Sequence, residues 1–373
     1  MKRPINQTTP TTLTTRAKPG FLPGIIVIIV LLVSSSQLVW AQSAVSGVPN
    51  LRLRYPSLGL SQYILGSSCL SLRSGPMDLD CNPAYLAGAD KTIFRASVAA
   101  NNQVSTVNDY REQLDKGDSI GMVNSLLNQS GPMQAEATSA IWYQHDWWAV
   151  GYVPFSGGFA SYVQNPAYPT VSADVFKESS LFAKAGFVSA GDENLQFGVQ
   201  ARYVERQFFH QQFDLLDVIG SPGSLQIQGQ KVFYLEPGVN YQFDGNWESE
   251  VSATLTRVAI YQTGAQDPFS PVIDIGLTTS PPFADGHFRT TTHYSNSPEI
   301  TDVLSRFTQG AIFDFGKVAS VSASLGKSSV GLGVNGHYQS VELGVGWRSE
   351  DISPDQWNTV QVSTYIFEAG LVF

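Results

Sequence analysis

The five histidines, His145, His210, His287, His293 and His337, are the residues of this sequence best suited to acid–base or metal chemistry. They lie on different segments, and no two stand at the i, i+4 spacing that sets a pair of ligands on one helix face. No Gly-x-Ser-x-Gly raises a serine on a nucleophile elbow. His210 with Asp214 and Asp217 has the residue types of an acid/base group, but solvated loop polarity accounts for the same three residues. The expectation is therefore no catalytic residue, no metal site and no cofactor, with an outer-membrane hydrolase kept as the third reading.

Cysteine chemistry is confined to Cys69 and Cys81, twelve positions apart. In an exported chain such a pair is more often a disulfide than half a metal site, so a bridge is expected. A second kind of chemistry, capture of an apolar ligand, is offered by "FFHQQFDLLDVIG", which carries Phe208, Phe209, Phe213 and Leu216. Placed on an outer loop, as connection lengths suggest, these four are candidate ligand-binding residues, because exposed apolar clusters mark binding or membrane contact. Leu114, Ile120, Met122, Val123, Leu126 and Leu127 recur at roughly helical spacing and suit a helix over the same mouth.

Export is read from residues 1–41. Lys2, Arg3, Arg16 and Lys18 precede the apolar run "FLPGIIVIIVLLV", and Val39 and Ala41 occupy the small-residue positions of a cleavage site. Cleavage after Ala41 leaves 332 of the 373 residues and, because four cations and no acids leave with the segment, moves the net charge from −9 to −13. Nucleic acid is excluded as a partner by that balance.

The elements that must position these residues are strands. In "ENLQFGVQARYVER", Leu195, Phe197, Val199, Ala201 and Tyr203 alternate with Gln196, Gly198, Gln200 and Arg202, a period of two with one apolar and one polar face. Fourteen segments read this way, near 91–101, 132–145, 146–155, 178–190, 193–207, 230–243, 246–261, 272–279, 286–294, 306–315, 317–326, 329–336, 338–349 and 358–373, with twelve as the alternative count. Their connections mostly alternate long and short, the rhythm of a transmembrane antiparallel β-barrel with tight periplasmic turns and longer outer loops. The last segment sets Tyr365, Phe367, Leu371 and Phe373 on one face, as a closing strand requires. Such an ending resembles the signal read by the barrel-assembly machinery. On the polar face, Glu136, Lys184, Arg202, Glu236, Glu248, Glu250, Asp274, Asp314, Glu342 and Arg348 are expected in the lumen.

Residues 42–90 lack a clean period and contain Asn82-Pro83-Ala84, a turn signal just ahead of the first strand. They are expected to form a plug, for which a fourteen-strand lumen has room. The order of leader, "SLGLSQY", "NPAYLAG", barrel over 91–373, "SVGLGVNGHYQSVELGVGWRSED" and a terminal Phe resembles the FadL/TodX long-chain fatty acid transporter superfamily, with its TraF-like and PorV-like relatives. The resemblance implies a hatch-plugged barrel of the Gram-negative outer membrane, in contact with its lipid, that captures small hydrophobic molecules and releases them sideways at a kinked strand. The cysteine pair is not part of that pattern. The alternative function is a structural or secretion/conjugation-accessory barrel without transport.

Overall fold

The computed structural model describes residues 59–73, 79, 81–89, 92–106, 133–163, 170–214, 228–265, 269–284, 287–297, 302–316, 318–352 and 360–373. The leader, the proposed first-loop helix, Asp217 and Leu216 lie outside them, as do the side chains of Phe209, His210, Phe213 and Asp214.

Fifteen strands follow in order: β1 (Thr92–Asn101), β2 (Met133–His145), β3 (Trp148–Val163), β4 (Thr170–Ser189), β5 (Asp192–Asp214), β6 (Gln228–Gln242), β7 (Glu250–Thr256), β8 (Ala259–Gly264), β9 (Val272–Thr279), β10 (Phe288–Ser295), β11 (Phe307–Phe315), β12 (Ala319–Gly326), β13 (Ser329–Tyr338), β14 (Val341–Ile352) and β15 (Val360–Val372). Neighbours pair antiparallel, and β15 returns to β1 with Ile93 opposite Val372 and Asn101 opposite Thr364. The ring closes with fourteen strands, not twelve, and β8 stands outside it, paired with β6. Closure leaves β1 and β15 no free edge, and Phe373 N–H adds a bond to the Thr92 carbonyl at 3.0 Å.

The period of two becomes an outside and an inside. On β1, Phe94 and Val98 are exposed while Arg95, Ser97 and Ala99 are buried in the lumen. Tyr365, Phe367 and Leu371 face outward on β15, and Glu368 faces inward. On β5 the apolar face from Leu195 to Tyr203 gives way to an exposed Glu205–Lys231 ion pair at 3.0 Å. Nine residues at ~3.3 Å each, tilted by ~40°, make a band about 20 Å tall. Aromatic contacts gather near its short-turn border, among them Tyr143–Trp148, Tyr241–Phe243 and Phe313–Phe315. At the opposite end Lys327 Nζ lies 2.7 Å from Asp302, whose carboxyl the lysine and Ser305 hold down to about 2.

Three departures from the periodicity matter. The single strand expected over 246–261 is two pieces, β7 and β8, separated by Arg257 and Val258. β5 runs on to Asp214, paired with β4 throughout, so Phe208, Phe209 and Phe213 stand on a strand and not on a loop. Glu248 sits exposed in the turn before β7 with φ 40°, not in the lumen.

Candidate functional site

Inside the barrel lies a folded N-terminal segment. Helix α1 (Leu60–Leu65) packs on β12–β15, the 3-10 turn Gly66–Ser71 on β7 and β9–β11, and the 3-10 turn Pro83–Leu86 on β4–β6. Pro83 opens the last turn, whose Ala84 N–H donates to Asn82 Oδ1 at 2.9 Å. The Asn-Pro-Ala motif therefore builds a compact knob. Its seat is a row of three glycines on adjacent strands, Gly186 opposite Gly198 and Gly198 opposite Gly238. A Cβ at any of them would overlap Ala87, Pro83 or Asn82, so only glycine lets the knob's backbone approach the wall. Across the lumen Gly333 and Gly346, also opposite each other, receive the Ile64 side chain.

Charges fix the orientation. Glu368 accepts Leu60 N–H at 2.8 Å at the start of α1, and Arg348 Nη1 donates to the Ile64 carbonyl at 3.1 Å near its end. Each closes one unpaired end of the helix backbone. Arg95, buried on β1, is paired with both Glu342 and Glu368. The Cys69–Cys81 disulfide is formed, with Cα atoms 5.7 Å apart, and Lys184 Nζ reaches the Cys81 carbonyl at 3.3 Å.

Ser71 Oγ lies 2.6 Å from His293 Nδ1, and His293 Nε2 lies 3.1 Å from Asp274 Oδ1. A carboxylate only accepts, so Nε2–H donates to Asp274 and Nδ1 accepts a hydrogen bond from the Ser71 hydroxyl. The order serine, histidine, aspartate is that of an acyl-transfer triad. Here it pins the plug: Ser71 is buried and pressed into the seat left by Gly276, with no space beside Oγ for a substrate carbonyl. His293 had no sequence signal tying it to Ser71, since 222 residues separate them.

Above the plug the wall is broken. β7 pairs with β6 and β9, with Thr256 opposite Val272 as its last step toward β9. β8 continues along β6 alone among the described residues, and it is the one described strand with no buried residue on either face. The cause is local. Leu235 N–H donates to the Val258 carbonyl at 3.0 Å, so the amide position two residues on points to the same neighbour. That residue is Pro237, which has no N–H. Arg257 turns through φ 60°, a left-handed conformation costing about 1–2 kcal/mol, and its N–H is taken instead by Glu236 Oε1 at 3.0 Å. Pro271 stands just before β9 and cannot donate either.

The lumen beside this break is lined by an alternating charged array. Glu178 lies 2.7 Å from Arg206 and 3.6 Å from Arg202, and Arg202 is 3.8 Å from Glu236. Arg202 lies over the Tyr234 ring at 4.8 Å. Phe269, two residues before Pro271, turns inward between Arg206 and Arg257, whose guanidinium carbons lie 4.5 and 4.9 Å from its ring centre. It packs with Phe208, Phe176 and Ala160. Of the four candidate binding residues, Phe208 is thus brought to the outer lumen. Lys184, Arg202, Glu236, Asp274, Asp314, Glu342 and Arg348 are buried as expected, and Arg95, Glu178, Arg206 and Glu368 join them.

No protein-family model and no curated protein sequence matches the chain. Solved structures similar to it include the Pseudomonas putida toluene transporter TodX, at 9% identity and TM-score 0.42 over 78% of this chain and 92% of that one. Another is the CymD monoaromatic hydrocarbon channel, at 9% identity and TM-score 0.41 over 83% and 92%. CdiB from Acinetobacter baumannii aligns at 12% identity and TM-score 0.31 over 76% of this chain and 60% of that one.

Proposed function

We propose that this protein is an outer-membrane channel that passes small hydrophobic molecules from its long-loop mouth sideways into the membrane, through the break between β8 and β9. The observation that carries the reading is β8 itself, exposed on both faces and paired only with β6 among the described residues. Ala259 and Tyr261, opposite Tyr234 and Phe233, stand at the upper border of the apolar band, where an unpaired edge against hydrocarbon costs several kcal/mol for each polar backbone group, so a wall left open there needs a reason. Passage is one. The axial route is occupied by a plug seated on glycines and held by Arg95, Glu368 and Arg348, whereas the break lies above that plug and beside Tyr261, Ile260 and Leu235, all exposed. TodX is a toluene transporter and CymD a monoaromatic hydrocarbon channel, but it is the break, not that likeness, that supports a hydrophobic cargo here.

The plug in the lower lumen favours the rival, an accessory barrel without transport. Ala259→Trp decides between them, because it fills the foot of the break without touching the plug. Uptake of a lipophilic fluorescent probe into proteoliposomes is expected to fall at least tenfold. Unchanged uptake removes the break from the route, and no uptake by the wild type supports the accessory reading.

A further inference from the structure

We propose that Phe269 is a tethered stopper: its ring fills the place in the outer lumen that leads to the broken wall, and nothing moves through until the ring leaves its two guanidiniums. The inference rests on the channel reading above for its purpose, but its geometry is independent. Phe269 belongs to the link between β8 and β9, the two strands that fail to pair. Instead of continuing the β9 ladder along β8, the link sends this ring into the barrel, against Ala160 of β3, Phe176 of β4 and Phe208 of β5. One side chain therefore reaches from the open side of the wall onto β3–β5, the strands next to β6 in the ring.

Its holding forces are of a kind that lets go. Arg206 and Arg257 meet the ring by cation–π contact, and Arg206 also pairs with Glu178 at 2.7 Å, a contact that does not run through the ring. Withdrawal of the ring thus strands no buried carboxylate, unlike loss of any arginine in the array. Arg257 couples the stopper to the break, since the same residue carries the left-handed turn that ends β7. Below the ring, one inward position down β5 from Arg206, lies Val204, fully buried beside Val232 and Tyr234.

Val204 is the reporter. With the native cysteines bridged, a Val204→Cys thiol is the single free one, and its reaction with a membrane-impermeant methanethiosulfonate added at the outer mouth reads access past Phe269. Adding Phe269→Ala is expected to speed labelling at least tenfold, while Phe269→Trp leaves it at the parent rate. Val232→Cys, facing Val204 across the β5–β6 ladder, serves where Val204→Cys does not assemble. Equal labelling rates with and without the Phe269 ring overturn the proposal. Probe flux in the same proteoliposomes is scored separately: faster labelling with no flux in any variant leaves the stopper and removes the channel, and flux with equal labelling does the reverse.

Discussion

At the scale of single residues, the lumen shows why charge can be buried in a membrane protein at all. Arg95 is fully buried, yet its two carboxylate partners come from β14 and β15, and one of them also holds the first amide of α1. The cation neutralises two anions, one of which holds the plug. Arg95→Leu should therefore destabilise by about 3–5 kcal/mol, because it leaves Glu342 and Glu368 buried and uncompensated. The double change of Arg95→Leu with Glu342→Gln should recover part of that loss. Urea midpoints of refolded protein measure both, and an equal loss in the single and double variants would break the account. Glu236 works in the same way at the break: a side chain replaces the carbonyl that Arg257 N–H no longer meets. Pro237 and Pro271 were both legible in the sequence as residues that cannot donate, but only the pairing of β6 showed on which side the missing donor falls.

Among elements, the relation between strands and plug is set by glycine. Gly186, Gly198 and Gly238 sit inside otherwise regular strands, where glycine weakens a ladder by about 0.5–1 kcal/mol relative to alanine. Their level with one another across three strands makes a trough, and the Asn82-Pro83-Ala84 knob fills it. Gly198→Val places a branched side chain on Pro83 backbone, which cannot yield as a flexible side chain can. Overpacking of about 1–3 kcal/mol or more is expected, taken up by displacing the turn and not the barrel. Limited proteolysis of the folded barrel should then cut near residues 82–87 while its heat-modifiable mobility persists. Protection of the turn equal to wild type would mean that the trough is not its seat. The polar-face glycines were visible in the sequence as gaps in a pattern of glutamine and arginine; that three of them align needed the register.

For the whole molecule, closure and plugging act together. The ring of strands joins β1 to β15, and the disulfide closes a short loop within the plug that lies inside that ring. Chain entropy assigns a bridge of this span about 2–3 kcal/mol. Cys69→Ser with Cys81→Ser should lower the unfolding free energy by that amount and leave the plug seated, because the glycine seats and the Arg348, Glu368 and His293 contacts do not depend on sulfur. Hydrogen exchange of α1 in the double variant measures this, and loss of its protection would show that the bridge, not the seats, holds the plug.

The sequence by itself determined the barrel. A period of two repeated fourteen times, with long and short connections alternating, has one solution in a membrane, since every backbone polar group must be paired within a closed sheet. It also placed the cysteine pair, the turn at Asn82 and most of the lumen charges, because each depends on local residue type or on which face of a strand a residue takes. What tertiary structure decided are the relations between residues far apart in the chain: the pairing of Arg95 with Glu342 and Glu368, the pin from Ser71 to His293, the row of glycines, and the meeting of Phe269 with Arg206 and Arg257. Alternation in 246–261 lapses after Thr256, where Arg257 takes an apolar-face position and Val258 and Ile260 fall on the polar face, but the apolar pattern does not say which neighbour each piece keeps. A one-dimensional pattern records which face a residue shows, while the break lies where the register of β7 ends, beyond Thr254 opposite Gly238 on β6 and beyond Thr256 opposite Val272 on β9.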